Sequence, residues 1–171
     1  MSKTIKLSSR KYPDFECIVD DEDYENLSNL TWYPQTTDFY KSVYAISKID
    51  GKFVRMHRYI MMLHNINIEN VFVDHIDLNG LNNCKHNLRI CTNGQNQHNS
   101  RKPINGLSSV YKGVCFDKRR DKFIARISFE NRRITIGRYT NEQDAALAYN
   151  EKAIELFGEF ALLNTVSDEG E

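Results

Sequence analysis

Three short segments rich in β-branched and aromatic residues follow one another in the last third of the chain, and they restrict its fold more than any other feature. Their sequences are SVYKGVCF, KFIARISF and RRITIGRY, and the polar turns DKRRD and EN separate them. Runs of this composition divided by short turns are typical of antiparallel strands. The pattern therefore predicts a three-stranded antiparallel meander.

A helix is predicted directly after this sheet. Thr140 and Gln143 have the spacing of a capping box, and Gly158 is a typical helix stop. Apolar residues recur at helical spacing between these signals: Ala146, Tyr149, Ala153 and Leu156. We expect this one amphipathic helix to cover the apolar face of the sheet.

The predicted second strand has two different faces, because successive side chains of a strand point to opposite sides. One face is apolar: Phe123, Ala125 and Ile127. The other face carries Ile124, Arg126 and Ser128, and Arg133 adds a charge from the third strand. We expect this second face to lie open to solvent, and a small basic sheet has the dimensions to enter the major groove of double-stranded DNA.

Charge is unevenly distributed along a chain of 171 residues whose formal net charge is zero. Lysine and arginine predominate over acidic residues between positions 101 and 138, so this segment can bind a polyanion. The turn residues Lys118, Arg119 and Arg120 are candidates for phosphate contacts. Acidic residues crowd instead into positions 14–25, which we interpret as a solvated face.

Several classes of protein are disfavoured by composition. No run of about 18 apolar residues occurs, and the first residues lack the apolar core of a secretory signal, so a cytoplasmic protein without a membrane segment is expected. The four cysteines contain no CxxC pair. Neither a disulfide framework nor a four-cysteine zinc site is therefore predicted. His86 between Cys84 and Cys91 fits no standard zinc finger.

The chain is predicted to contain two domains. The segment SRKPINGLSS combines proline, glycine and small polar residues and separates stretches of different composition. We predict a domain over residues 1–100, a linker over 101–108, a domain over 109–165 and an acidic tail over 166–171. Within the first domain, Asp50 and Gly51 indicate a β-hairpin, MHRYIMMLHN a short helix and VFVDHI a buried strand.

Residues 73–99, VDHIDLNGLNNCKHNLRICTNGQNQHN, place an aspartate beside a histidine and follow them with many asparagines. Hydrolysis of a phosphodiester requires an activated water and stabilisation of charge on the phosphoryl oxygens. A histidine suits the base and a hard divalent cation suits the charge, with carboxylate and amide oxygens as ligands. Asp74, His75 and a later asparagine supply these groups.

This stretch resembles the core of the HNH nucleases, the ββα-metal fold, in the variant typical of phage and intron homing endonucleases. The resemblance implies that Asp74 and Asn96 are metal ligands, that His75 is the general base and that Asn87 braces the loop that carries it. Asn96 and His98 cannot both face one metal, because two helical positions are about 200° apart. The family spacing selects Asn96. Arg89 contacts either a phosphate or a neighbouring protein group.

Residues 109–164 resemble a second family, the plant Apetala/ethylene-response-factor DNA-binding domain, which also occurs at the C-terminus of phage HNH nucleases. The matching segments are YKGV, KFIARI and ITIGRYTNEQDAALAYNEKAIELFG. The resemblance implies that the sheet lies in the major groove. The DNA contacts carried over by position are Lys112, Cys115, Asp117, Arg126, Ser128, Arg133 and Thr135. Plant domains have Arg or Trp at several of these positions, so base specificity does not carry over.

The expected fold is α+β: a ββα-metal core preceded by a β-hairpin and a helix, and followed by a three-stranded antiparallel sheet packed on one helix. The expected function is site-specific cleavage of double-stranded DNA with Mg²⁺ or Mn²⁺, by a phage-encoded or mobile-element-encoded monomer or weak dimer in a bacterial host. A DNA-binding regulator with an inactive catalytic domain is one alternative. A restriction or packaging nuclease is the other.

Overall fold

The computed structural model describes residues 1–37, 42–101 and 108–166. The chain forms two compact units, Met1–Gln97 and His98–Glu171. Small antiparallel sheets and helices in these units confirm the predicted α+β class. The predicted linker and acidic tail lie almost entirely outside the described residues, so the domain boundaries stay a prediction.

The described part of the first unit contains three small sheets, two α-helices and most of a third. Its elements are β1 (Ser2–Lys6), β2 (Glu16–Asp20), α1 (Asp21–Ser28), β3 (Tyr33–Thr37), β4 (Ser42–Ile49), β5 (Lys52–Arg55), α2 (Met56–Leu63), β6 (Phe72–His75), a 3-10 helix (Lys85–Asn87), β7 (Leu88–Cys91) and α3 (Asn93–His98). All strand pairs are antiparallel: β1 with β2, β3 with β4, β4 with β5, and β6 with β7. The predicted hairpin, helix and buried strand are therefore present.

The turn between β4 and β5 has the backbone conformation that an Asp-Gly hairpin requires. Asp50 and Gly51 both have positive φ, 49° and 80°. A two-residue turn of this kind matches the right-handed twist of the strands it joins, and Asp-Gly tolerates it well. This hairpin leads directly into α2, whose residues Met56 and Ile60 are fully buried.

The acidic stretch at residues 14–25 is not simply a solvated face, contrary to the prediction. Alternation in β2 buries Cys17 and Val19 completely, and both belong to the core of the first unit together with Leu27 and Trp32. Asp23 of α1 is only 2% exposed. Its carboxylate is buried because it pairs with the His64 imidazole at 2.6 Å, a partner that lies 41 residues away in the chain.

The second unit consists of the predicted meander and helix. Its elements are β8 (Val114–Asp117), β9 (Lys122–Phe129), β10 (Arg132–Tyr139), α4 (Glu142–Phe157) and a 3-10 helix (Gly158–Phe160). The sheet order is β10-β9-β8, so β9 is central. Ala145, Ala146, Tyr149 and Ala153 of α4 are buried against the sheet. The N-cap is Asn141, which accepts from the Gln143 backbone N–H at 2.7 Å, rather than Thr140 as predicted.

Gly113 makes the close approach between helix and sheet possible. Its φ is +76°, and a Cβ atom at this position would lie 2.0 Å from the Tyr149 ring. Asn164 then joins the two ends of the unit: its side chain bonds the backbone N–H and C=O of Lys112 at 2.6 and 3.0 Å, and its backbone N–H donates to Asn150. These contacts fix the segment that enters β8.

The second face of the sheet departs in one respect from the open surface that was predicted. Ile124 lies on that face but is only 2% exposed. Its cross-strand neighbours are Cys115 on β8 and Arg138 on β10. The longer Arg138 side chain flanks Ile124 on one side and can cover it. Arg126, two residues further along β9, is half-buried.

Candidate active site

The predicted catalytic pair lies at the end of β6. Asp74 and His75 are the last two residues of this strand, and in the antiparallel register they face Arg89 and Leu88 of β7. The residues between the strands form a loop closed by a backbone hydrogen bond of 2.9 Å from the Ile76 N–H to the Asn87 carbonyl. The two residues are 7% and 5% exposed, so both are largely removed from solvent.

Asp74 forms an ion pair with Arg89. The Nη2 and Nε atoms of Arg89 donate to the same carboxylate oxygen, Oδ2, at 3.0 and 3.2 Å. Both side chains are largely removed from solvent, so the pair is held in one geometry. Of the two alternatives for Arg89, the structure shows a contact to a protein group.

His75 is held by an amide and by aromatic rings. Its Nε2 lies 3.2 Å from Oδ1 of Asn83, a side chain with no exposed surface. The ring of His57 packs edge-on against it with centroids 4.8 Å apart, and the Tyr44 ring lies at 5.8 Å. These contacts leave the imidazole little rotational freedom.

Burial determines the protonation state of this histidine. Desolvation lowers the pKa of His75 below the ordinary value of 6.5, and the hydrogen bond to Asn83 and the charges of Asp77 and Asp74 oppose that shift only in part. Burial, followed by the proximity of His75, lowers the pKa of His57 well below 6.5. Burial therefore favours the neutral form of both imidazoles, and a neutral imidazole can accept a proton.

Asn87 joins the two ends of the loop that follows His75. Its Nδ2 donates to Oδ1 of Asp77 at 2.9 Å and to the Asn82 carbonyl at 2.8 Å, while its Oδ1 accepts from the Asp77 N–H at 3.0 Å. The side chain is 4% exposed. Asp77 also accepts from Nδ2 of Asn82 at 2.7 Å. The asparagine-rich composition of this stretch therefore has a local explanation, since amides bind the backbone that the loop leaves unpaired.

Strand β2 supports the far side of the same loop. The Ile18 N–H donates to Leu81 O at 2.8 Å, and the Ile18 carbonyl accepts from the Asn83 N–H at 2.7 Å. Asp20 at the end of β2 adds a third hydrogen bond to the loop, since its Oδ2 accepts from the Lys85 N–H at 2.7 Å. Sequence reasoning missed this support, since the partners are more than 60 residues apart and no periodic pattern connects them.

Asn96 lies on α3, where it is half-buried and is the fourth residue of the helix. Its amide oxygen and the Asp74 carboxylate are the hard donors that Mg²⁺ or Mn²⁺ prefers, so the residue types fit such an ion. Among the described residues, the group of three Asp, Cys or His ligands that converges geometrically is a different one: Asp20, Cys84 and His86.

The predicted DNA contacts of the second unit fall into two sets. Arg126 pairs with Thr135 and Ser128 with Arg133 across β9 and β10, so these four side chains share one face of the sheet. Arg119 is exposed in the turn between β8 and β9. Lys112 differs: its Nζ donates to the carbonyls of His98 and Ser100 at 2.5 and 2.7 Å.

The neighbourhood of Lys112 is unusual for a surface cation. Burial lowers the pKa of Lys112 from 10.5 to about 8. His98, one of its partners, stacks its ring on Phe157 with centroids 3.7 Å apart. Lys112 therefore serves as an internal donor in this unit. Arg126, Arg133 and Arg119 remain the accessible cations of the predicted set.

A buried histidine lies beside an ion-paired carboxylate, at the start of a loop that asparagine side chains brace, and this arrangement is suited to hydrolysis. The chain is similar to an uncharacterized HNH endonuclease of Acanthamoeba polyphaga mimivirus, with 35% identity over 144 residues that cover 82% of this chain and 70% of the relative. The chain therefore belongs to the HNH endonuclease family. No family model matches the sequence, and no solved structure matches it.

Among the residues that the structure describes, none of the helices has the length and apolar character needed to cross a bilayer.

Proposed function

We propose that this chain is a site-specific DNA endonuclease of the homing type, with a ββα-metal catalytic site in its first unit and a DNA-selecting sheet in its second. The observation that carries the proposal is the buried His75 directly beside Asp74 at the end of β6. The strand, loop, strand and helix from β6 to α3 supply the topology of such a site. Family membership supports the nuclease activity.

His75 acts as the general base in this proposal. Because Oδ1 of Asn83 accepts from Nε2, the ring hydrogen resides on Nε2 and the basic lone pair on Nδ1. Nδ1 removes a proton from the attacking water. Asn83 therefore selects the reactive tautomer and holds the ring, and the edge-on ring of His57 limits its rotation.

Asp74 and Asn96 would hold Mg²⁺ or Mn²⁺, with Arg89 keeping the Asp74 carboxylate oriented. The ion would supply stabilisation of negative charge on the scissile phosphate and on the departing 3′ oxygen. Water attacks phosphorus in line with the bond to that oxygen, which then leaves. The products are a 5′-phosphate and a 3′-hydroxyl.

Asn87 is a positioning residue in this scheme. Its hydrogen bonds to Asp77 and Asn82 fix the loop that begins immediately after His75. A base displaced by about 1 Å can lose about 100-fold in rate, so rigidity of the loop is part of catalysis.

The second unit selects the DNA site, as its resemblance to the Apetala/ethylene-response-factor domain implies. Two cross-strand pairs, Arg126 with Thr135 and Ser128 with Arg133, place polar and cationic groups on one face of a sheet narrow enough for the major groove. Arg119 in the adjacent turn contacts phosphate. We leave Lys112 out of the contact set because its ammonium binds two backbone carbonyls.

A separate DNA-selecting unit favours homing over restriction or packaging. With one catalytic site per chain, a monomer nicks one strand, and double-strand cleavage requires a dimer or two successive nicks. Asp74, His75 and Asn87 are all present and hydrogen-bonded, which supports an active nuclease over the inactive regulator.

The test is conversion of supercoiled plasmid that carries the native locus, with Mg²⁺ or Mn²⁺ and with EDTA. We expect metal-dependent nicking by the wild type. His75→Ala should abolish nicking while DNA affinity and thermal stability persist. His98→Ala is the matched control, because it removes a histidine that no catalytic step uses, and it should cleave like the wild type. DNA binding without cleavage under both metals would instead support the regulator.

A further inference from the structure

A mixed group of potential metal ligands lies outside the catalytic site, where β2 ends. One carboxylate oxygen of Asp20, the Sγ atom of Cys84 and one ring nitrogen of His86 all lie within 4.8 Å of one another. Cys84 is buried, Asp20 is half-buried and His86 is exposed. The three residues are contributed by two chain segments that are 64 positions apart, both in the first unit.

Backbone pairing rather than chance surface proximity brings these residues together. The loop after β6 runs beside β2 through the hydrogen bonds of Ile18 with Leu81 and Asn83. Cys84 is the N-cap of the 3-10 helix Lys85–Asn87, and the Lys85 N–H donates to Asp20. Asp20 and Cys84 are thus held by the same backbone, and the exposed His86 side chain is the movable member.

The electrostatic surroundings favour a cation. Burial raises the pKa of the Cys84 thiol, and the Asp20 carboxylate adds to that rise both as a charge and as a hydrogen-bond acceptor; Asp23 contributes further, and the N-terminal amine opposes it. Lys85 forms an ion pair with Glu22 and lies 3.3 Å from Nε2 of His64. Three acidic groups, Asp20, Glu22 and Asp23, therefore lie near the cluster, against two cationic groups, Lys85 and the N-terminal amine.

A second observation, separate from the ligand geometry, comes from Asp23. Its Oδ1 is bound to His64, but its buried Oδ2 has no hydrogen-bond partner among the described residues. A buried carboxylate oxygen without a partner is costly, and a nearby cation offsets part of that cost. This residue lies close enough to Cys84 to influence its thiol.

We propose that Asp20, Cys84 and His86 form a zinc site that ties the end of β2 to the 3-10 helix bearing Asn87. A thiolate, an imidazole and a carboxylate together suit Zn²⁺, whereas Mg²⁺ avoids sulfur. Binding displaces the thiol proton of Cys84 to solvent, and water occupies the fourth position. The ligand atoms must approach by about 1 Å to reach the spacing of tetrahedral Zn²⁺ at about 2.0–2.3 Å from each ligand, and rotation of His86 provides that movement.

The site is independent of the proposed catalytic ion and does not rest on the proposed function. Asp74 and Asn96 offer only oxygen, so a sulfur-to-metal signal can arise only at a cysteine. Cys84 is the cysteine in the cluster, and Cys115 in the second unit is half-exposed and provides a matched control.

Titration of the metal-free, full-length chain with Co²⁺ tests the proposal. We expect a near-ultraviolet thiolate-to-cobalt charge-transfer band that saturates at one ion per chain and disappears when Zn²⁺ is added. Cys84→Ser should abolish the band, and Cys115→Ser should leave it unchanged. His86→Ala removes an exposed ligand without disturbing the core, so it should keep the fold and weaken Co²⁺ affinity more than about tenfold.

Thermal denaturation with Zn²⁺ supplies a second readout. Zinc should raise the Tm of the wild type and of Cys115→Ser, and it should have little effect on His86→Ala. Absence of a charge-transfer band in the folded wild type would overturn the proposal. So would a band that survives Cys84→Ser or that keeps wild-type affinity in His86→Ala.

Discussion

The Nε2 atom of His75 lies 3.2 Å from Oδ1 of Asn83, and Asn83 has no exposed surface. The same asparagine is anchored by its backbone N–H, which donates to the Ile18 carbonyl at 2.7 Å. The orientation of the proposed base is therefore fixed by β2, a strand from a distant part of the sequence. Asn83 is a positioning residue that the asparagine-rich pattern did not single out.

Asn83→Ala should lower kcat by about 10- to 100-fold, because His75 loses the partner that orients it. The hydrogen bond from Asn83 raises the pKa of His75, so its removal should also shift the acid limb of the pH–rate profile to lower pH. Steady-state cleavage between pH 5 and 8 measures both effects. Asn26→Ala, at an exposed position of α1 outside this loop, should change neither; an unshifted acid limb in Asn83→Ala would refute the positioning role.

Asn87→Asp should damage the loop while conserving side-chain shape. The substitution replaces two donated hydrogen bonds by a carboxylate that faces Asp77 and the Asn82 carbonyl. We expect the free energy of unfolding to fall by about 2 kcal/mol, and cleavage to fall by about 100-fold. Urea denaturation and the plasmid assay measure these losses.

Asn79→Asp is the control for that experiment. The Asn79 side chain is an acceptor for the Leu81 N–H, a role that a carboxylate retains, and it is exposed. Its stability and activity should stay near those of the wild type. Equal losses in both variants would show that added negative charge, rather than the lost donors, is responsible.

Stability should decline in acid because of His57. Its pKa is lowered in the folded chain, so the unfolded chain binds more protons below the ordinary value of 6.5. The stabilising contribution is complete above that pH and is lost as the pH falls toward the lowered pKa. His57→Gln should flatten the dependence of unfolding free energy on pH by up to about 1.4 kcal/mol per pH unit.

Urea denaturation between pH 5 and 8, with EDTA present, checks this expectation. His86→Gln provides the control, because its side chain is exposed and it should retain the wild-type slope. A slope that His57→Gln leaves unchanged would mean that other groups cause the acid sensitivity.

Arg133→Ala should weaken DNA binding at every sequence and reduce the slope of log affinity against log salt by about one if the arginine contacts a phosphate. If the arginine instead reads a base, discrimination between sites should fall by about 1–3 kcal/mol. Binding titrations at several salt concentrations distinguish the two. Lys152→Ala removes a cation that pairs with Glu155 on α4, and it should alter neither quantity.

Local signals predicted the elements that local physics determines. The Asp50-Gly51 turn, the alternation of β9 and the start of α4 near Thr140 depend on neighbouring residues, and the structure contains all three features with a shift of one residue at the helix cap. Such features follow from backbone preference and from burial of one face.

Long-range pairing explains what the sequence did not reveal. Asp23 looked like part of a solvated acidic run, but it is buried because His64 pairs with it. Lys112 was predicted as a DNA contact, and its ammonium also binds the carbonyls of His98 and Ser100, which the sequence did not reveal. A single sequence contains no signal for partners that only the folded chain brings together. The roles of Asp74, His75 and Asn96 remain predictions for the experiments above.

The hydrogen bonds from β2 to the loop after His75 affect how the activity of related genes should be judged from their sequences. An intact Asp74–His75 pair does not by itself establish that the loop behind it is held in place. Here a single proline at Ile18 would delete the N–H that binds Leu81 and kink the edge that supports Asn83. We expect a chain with an intact Asp74–His75 pair and such a substitution to be inactive. Comparisons of related genes should therefore include residues 16–20 as well as the Asp-His motif.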